Sequence, residues 1–263
     1  MRIVALLSLV LSLVASPLHA GLTGWSASNY LTTTANVPIT AYPLLISAWY
    51  RNSNPGTDRH IAALDSSSTN IYATVSPSPS NRNQAYSWVS PTLAVAQTIQ
   101  NNVPTGTWFH AMGAFVSTAD RQIYSAGVLM VQSVTSLSPA TPTRFSVGSY
   151  AAGSQPLAAA DGVAEVSMWD GTGMVGTDRD NLAAKLAAGQ NPININAESS
   201  QPWTGKLRGY YIDSTNAITD LSGNGKDLTQ IGSLTNLGSH PTIDAVSGGG
   251  GPTQNFFRRR NAS

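Results

Sequence analysis

Hydrophobic and polar positions alternate over short stretches along most of this chain, and turn residues separate the stretches. In Pro43–Arg51, Leu44, Ile46, Ala48 and Tyr50 fall on one face while Leu45, Ser47 and Trp49 fall on the other, the period-two pattern of a strand. Comparable runs occupy Asn29–Thr34, Arg59–Asp65, Ile71–Ser76, Ala85–Ser90 and Leu93–Ile99. Trp108–Ser117 and Arg121–Val134 flank Thr118-Ala119-Asp120, a short polar hairpin connection. Arg144–Ser149, Val163–Trp169, Leu207–Ile212 and Asp227–Ile231 complete the series. Strand runs recurring every roughly 10–15 residues with turn signals between them predict an all-β sandwich or barrel.

The exception is Asp161–Pro192, DGVAEVSMWDGTGMVGTDRDNLAAKLAAGQNP, which reads as a buried strand, a glycine-rich turn and one short helix. Thr177 or Asp178 is placed to cap that helix, Asp180 stands three residues after Thr177, and Gly189 with Pro192 ends the run. Leu182 and Leu186 form one narrow apolar stripe, so the helix is expected to lie on a sheet. Gly171, Gly173 and Gly176 spell G-x-G-x-x-G, and Glu198 follows at a ribose-binding distance. The expected cap falls after the third glycine, however, and no further βα unit exists to build a parallel sheet, so the glycines read as a turn.

The ends of the chain have a different character. Met1-Arg2, the apolar run Ile3–Ala15 and the break at Ser16–Ala20 have the layout of a secretory leader over residues 1–20, too short to span a bilayer. Residues 21–245 are expected to form one sandwich domain, and residues 246–263, with Gly248–Gly251 and Arg258–Arg260, a flexible glycine-rich and basic tail. Loss of the leader with Arg2 would leave thirteen basic against thirteen acidic residues, a balance that argues against a nucleic-acid surface. No other segment is long and apolar enough to span a membrane. The chain has no cysteine, which excludes disulfides, thiolate metal sites and cysteine nucleophiles. Only 10% of residues are charged, a composition suited to an extracytoplasmic β protein whose stability rests on its core.

Several stretches together resemble one family. Tyr42–Tyr50 (YPLLISAWY) is similar to the early core strand of laminin-G-like jelly-roll domains of the concanavalin A-like lectin/glucanase superfamily, in their bacterial or phage form. Gly106–Val128 resembles their hairpin with an Arg-x-x-Tyr-x-x-Gly strand, and Arg144–Gly148 (RFSVG) their next strand. Asp161–Asp170 (DGVAEVSMWD) with its helix, the closing Leu207–Thr229 hairpin with its DxSGNG turn, and His240-Pro241 complete the likeness over most of Leu31–Pro241. The resemblance implies a two-sheet antiparallel jelly-roll sandwich with one short packed helix.

Chemistry is harder to place. Glucanases of that superfamily carry a Glu-x-Asp-x-x-Glu strand, and glycoside hydrolysis in general needs two carboxylates about the scissile bond. The glutamates here are Glu165 and Glu198, and neither sits in that pattern. Glu165 is expected to be structural, bonding a neighbouring strand or Arg144. Zinc motifs, a nucleophile elbow and a phosphate loop are absent from the sequence. Asp220, Asn224 and Asp227 could ligate Ca2+ or simply build an Asn224-Gly225 hairpin turn. Trp49, Trp108 and Trp169 sit in regular strands and read as core. Trp25, Tyr86, Trp88 and Trp203 lie in polar or turn-rich surroundings and are the candidates to stack on sugar rings. The expected function is a non-catalytic secreted or surface-displayed recognition module for glycans or adhesion, with no required cofactor. The alternative is a structural or assembly subunit, as on a phage virion surface, contacting copies of itself. An enzyme acting on glycosides without the usual motif is the third.

Overall fold

A computed structural model describes residues 21–53, 58–78, 81–99, 102–151, 153–212 and 218–246. The leader expected over residues 1–20, and all of the expected tail beyond Val246, lie outside these. In chain order the strands are β1 (Leu22–Thr23), β2 (Tyr30–Thr33), β3 (Leu44–Arg51), β4 (Ala62–Ser67) and β5 (Asn70–Ser78). Then come β6 (Arg82–Val89), β7 (Thr92–Gln97), β8 (Trp108–Ser117), β9 (Asp120–Ser125) and β10 (Val128–Ser133). After β11 (Arg144–Val147) and β12 (Gly162–Asp170) follow helices α1 (Gly176–Ala187) and α2 (Pro192–Asn196). Strands β13 (Leu207–Tyr211), β14 (Thr229–Ile231) and β15 (Thr235–Asn236) close the fold.

The strands form two antiparallel sheets. One runs β10-β9-β8-β3-β12-β1-β15, with β13 also paired to β12; the other runs β14-β2-β11-β4-β5-β6-β7. This is the expected jelly-roll sandwich, and the period-two pattern explains which faces meet. Leu44, Ile46, Ala48 and Tyr50 of β3 point inward into the core with Leu64, Ala73, Val75 and Ala85 of the opposite sheet. Gly113 of β8 marks where the sheets touch, since a Cβ there would press on Val75 and Ala85.

The core also holds hydrogen-bonded polar groups. The Tyr50 hydroxyl donates to Asn83 Oδ1 at 2.6 Å, and Asn83 Nδ2 donates to Ser125 Oγ at 2.7 Å. Arg121 is fully buried, its guanidinium donating to Ser87 Oγ and to the carbonyls of Thr118, Thr135 and Leu137. It thereby ties the ends of the β8–β9 turn to the strap that follows β10.

A second core fills the outer face of the eight-stranded sheet. Leu182, Ala183 and Leu186 of α1 pack there with Leu45, Met112, Tyr124, Trp169 and Trp203, as the apolar stripe required. The helix starts earlier than the sequence suggested: Val175 is the N-cap, and Asp178 accepts from its N–H at 2.8 Å as the third helical residue. Pro192, expected only to end the helix, instead opens α2 behind an Asn191 cap, a position where its missing N–H costs nothing. The run Arg121–Val134 is two strands, because Ala126 and Gly127 both take positive φ (48° and 82°) and turn the chain.

Leu22 of β1 pairs with Asn236 of β15, Gly21 N–H donates to the Ser239 carbonyl, and Leu237 N–H donates to that of Gly21. The beginning and end of the described sandwich are therefore hydrogen-bonded neighbours.

Candidate functional site

The outer face of the seven-stranded sheet carries a third cluster, separate from both cores: Ala63, Ile71, Tyr86 and Tyr150, with Trp88, Val95 and Ala151 partly buried against them. Alternation along β6 creates it. Asn83, Ala85 and Ser87 face the core, so Gln84, Tyr86 and Trp88 face out. Val95 of β7 stands opposite Tyr86, and Leu93 stands opposite Trp88. A bulge in β5 brings Ile71 opposite Trp88 on the other side.

The loop after β11 folds back over this face. Gly148 allows the turn: its φ is +82°, and a Cβ would overlap the Trp25 ring. Tyr150 and Ser154 then exchange backbone hydrogen bonds, and Leu157 N–H returns to the Gly148 carbonyl. The Tyr150 ring ends 4.3 Å from that of His60, whose other neighbour is the Tyr86 ring at 5.6 Å. His60 Nε2 lies 3.0 Å from Gln155 Oε1 and 2.9 Å from the Tyr86 hydroxyl. Burial lowers the His60 imidazole to a pKa of about 4, so it is neutral at pH 7, and burial raises the Tyr86 phenol.

Further along the face, Arg144 donates through Nε (2.9 Å) and Nη2 to the buried Asp65 carboxylate, which also accepts from the Ala151 N–H. Burial pushes the Asp65 carboxyl up, opposed by these donors. Gln84 donates to Asp58 at 3.1 Å. The face thus offers a partly exposed indole and aliphatic surface, Trp88 with Leu93 and Val95, beside a hydrogen-bonded polar layer.

The structure brings two of the four sequence candidates together, Tyr86 and Trp88. Trp25 is buried in the main core with its Nε1–H on the Leu22 carbonyl (3.1 Å), so it is not a surface residue. Trp203 is also buried, packed near α1 with its Nε1–H on Glu198 Oε2 (3.0 Å) and Lys185 over its ring. Both corrections share a cause: polar neighbours on a turn do not stop its one large ring from facing inward. Trp169 is core, whereas Trp49 and Trp108 are only partly buried. His60, Tyr150 and Gln155 carry no local signal, since only the fold brings them together.

Asp220, Asn224 and Asp227 do not fit a calcium ion. Asp220 Oδ1 accepts from Tyr210 N–H, Ser222 N–H and Ser222 Oγ, and its Oδ2 accepts from Lys226 N–H. Asp227 Oδ1 accepts from Asp220 N–H, while Asn224 donates to the Leu207 carbonyl. Both carboxylate oxygens of Asp220 and one of Asp227 thus hold the turn together. Among the described residues no group of three or more His, Cys, Asp or Glu side chains could hold a metal.

Glu165 sits at a bulge in β12 with a φ of +55°. Its carboxylate accepts from the hydroxyl of Tyr210 on the neighbouring strand β13, the first of its two expected partners, and lies 2.9 Å from His240 Nε2; Arg144, the other, belongs to Asp65 instead. On the same sheet face His110 is buried, with Nε2 2.8 Å from Ser47 Oγ and its pKa lowered to about 3 by burial.

No protein-family model matches the chain, and no curated protein matches it. Solved structures similar to it include a Bacteroides ovatus protein assigned as carbohydrate binding, at a TM-score of 0.56 and 15% identity over 84% of this chain and 61% of that one. The chain thus spans about three fifths of the length of that relative. Two others are domain 4 of AbnA, a GH43 extracellular arabinanase of Geobacillus stearothermophilus solved with arabinotriose (TM-score 0.45, 16% identity, 57% of this chain and 68% of that one), and the CBM40 module of the Ruminococcus gnavus IT-sialidase solved with α2,3 sialyllactose (0.48, 7%, 63% and 96%). At these identities the likeness is one of fold.

Proposed function

We propose that this chain is a non-catalytic, extracytoplasmic glycan-recognition module that binds on the outer face of its seven-stranded sheet. One observation carries the proposal: Trp88, Leu93 and Val95 form a partly exposed apolar surface directly beside neutral, mutually bonded polar groups. A pyranose ring presents the matching chemistry, with C–H groups on its faces and hydroxyls around its rim. The charge pair Asp65 with Arg144 on that face is internally neutralised, which suits an uncharged ligand. A shared sandwich with a protein assigned to carbohydrate binding and the leader-like residues 1–20 support the same reading. Adhesion to a glycan-bearing surface would follow from it.

The test is a glycan array on the intact chain followed by calorimetry on the best hit. Trp88→Ala should weaken binding roughly tenfold or more while leaving the melting temperature nearly unchanged. No hit, or a hit indifferent to Trp88→Ala, would refute the assignment. A second reading, an assembly subunit such as a virion surface protein, draws on a different observation, the apolar side chains at one edge of the sandwich.

A further inference from the structure

Six of the exposed large apolar residues among those described come from one side of the sandwich. They are Leu93 (48% exposed) on β7, Ile99 (73%) just after it, Val128 (61%), Leu129 (40%) and Met130 (36%) on β10, and Val134 (75%) just after that. β7 and β10 are the end strands of their two sheets and lie against each other. At the opposite ends the sheets stop at β14 and β15, only three and two residues long. Short strands are one way in which proteins blunt a sheet edge, and charges, prolines and bulges are others. β10 is bulged between Leu129 and Val131. β7 has none of these protections: Thr92–Gln97, TLAVAQ, is six residues long, uncharged, free of proline and in unbroken register with β6.

What such an edge accepts is another strand, and a second copy of β7 is one that fits. Antiparallel partners opposite each other must share a face. Centred on Ala94, β7 pairs with a second β7 so that Leu93 meets Val95 of the other copy, and Val95 meets its Leu93. Both pairs lie on the outer face, and Ala94 meets Ala94 on the inner one. We propose that the chain is a two-fold dimer in which β7 pairs with β7 and the apolar side chains of β10 pack against the second copy. The six residues expose on the order of 500 Å² of apolar surface per copy, in the upper part of what a monomer shows and enough for the centre of a standard interface of about 800 Å² per partner.

The symmetry has a functional consequence, which rests on the glycan assignment above. The two-fold axis relating antiparallel strands in one sheet is perpendicular to that sheet. Both outer faces therefore look in one direction, and their β6 strands stand three inter-strand spacings apart, about 14 Å. The dimer presents two Trp88 platforms to a single surface.

Sedimentation of the intact chain over a dilution series tests the interface without any sugar. A dimer mass is expected, halved by the double substitution Val128→Lys/Met130→Lys with the circular dichroism unchanged; a monomer at every concentration overturns the proposal. Because the chain has no cysteine, register can be read directly. Mixing Leu93→Cys chains with Val95→Cys chains under oxidation should give a disulfide-linked dimer, and Ile231→Cys chains on β14 should not cross-link. A dimer that fails to cross-link in the mixture, or that survives the β10 substitutions, places the contact elsewhere and overturns the proposal as well. On sugars, Val128→Lys/Met130→Lys should keep its affinity for a soluble oligosaccharide and lose about a hundredfold on a glycan-coated surface. With sugar binding absent altogether the glycan assignment falls, while mass and cross-linking still decide the interface.

Discussion

Two buried imidazoles should make this fold sensitive to mild acid in a window set by the unfolded chain. Burial lowers His60 from 6.5 to about 4 and His110 to about 3, so both are neutral in the folded protein down to pH 5. Unfolded, each picks up a proton as the pH falls through 6.5. Below that point the unfolded state binds more protons than the folded one, and stability rises with pH by up to about 1.4 kcal/mol per unit for each group. Between pH 7 and pH 5 each imidazole removes about 2 kcal/mol, or about 4 kcal/mol for the pair, a large share of the 5–15 kcal/mol typical of a domain. Asp65, whose carboxyl burial displaces upward, works in the opposite direction and offsets part of this loss. Urea unfolding at pH 7.5, 6 and 5 measures the slope. His60→Gln and His110→Gln should each remove about half of it, whatever they do to stability at pH 7.5. An unaltered slope in the double variant, or a His60 or His110 imidazole titrating near 6.5 in the folded protein by NMR, would refute this account.

Three further outcomes follow from single positions. Gly148→Ala places a Cβ on the Trp25 ring at a left-handed φ, and should lower stability by about 3 kcal/mol or more, seen as a fall in melting temperature. Arg121→Met leaves the Thr118, Thr135 and Leu137 carbonyls without their donor and should cost about 2–4 kcal/mol by urea midpoint; a neutral effect would mean that water replaces the guanidinium. Asp220→Ala should cost about 2 kcal/mol by removing the acceptor shared by Tyr210, Ser222 and Lys226, while neither calcium nor a chelator shifts the wild-type melting curve. A calcium-dependent rise would instead make the turn a cation site.

The faces of β3 were legible in the sequence because strand alternation depends on nearest neighbours alone, and its two faces meet the core and the helix as the pattern implied. Tyr86 and Trp88 came from a different cue, their polar surroundings, and alternation adds only that they share one face of one strand. Alternation could not find His60, Tyr150 or Gln155, which the chain supplies from three separate places and only the returning loop assembles. Nor could it place Arg121 inside. A charged residue reads as surface until the carbonyls that satisfy it are known, and those come from segments without periodicity. Trp25 and Trp203 were misplaced for the complementary reason, a buried ring carried on a polar turn.

The rung between β1 and β15 makes the sandwich a ring in connectivity as well as in space. With Gly21 and Leu237 already hydrogen-bonded, a short peptide joining the two ends would strain nothing, and the chain could be opened at an exposed turn such as Ser68-Thr69. Such a circular permutant is expected to give the parent circular dichroism and melting profile. A chain that failed to fold would show that strand order along the polypeptide, beyond the contacts themselves, directs assembly. Both attachment points also sit on the β15 edge of their sheet, remote from β10 at its other end. A peptide inserted at this joint would therefore leave the molecule from that edge.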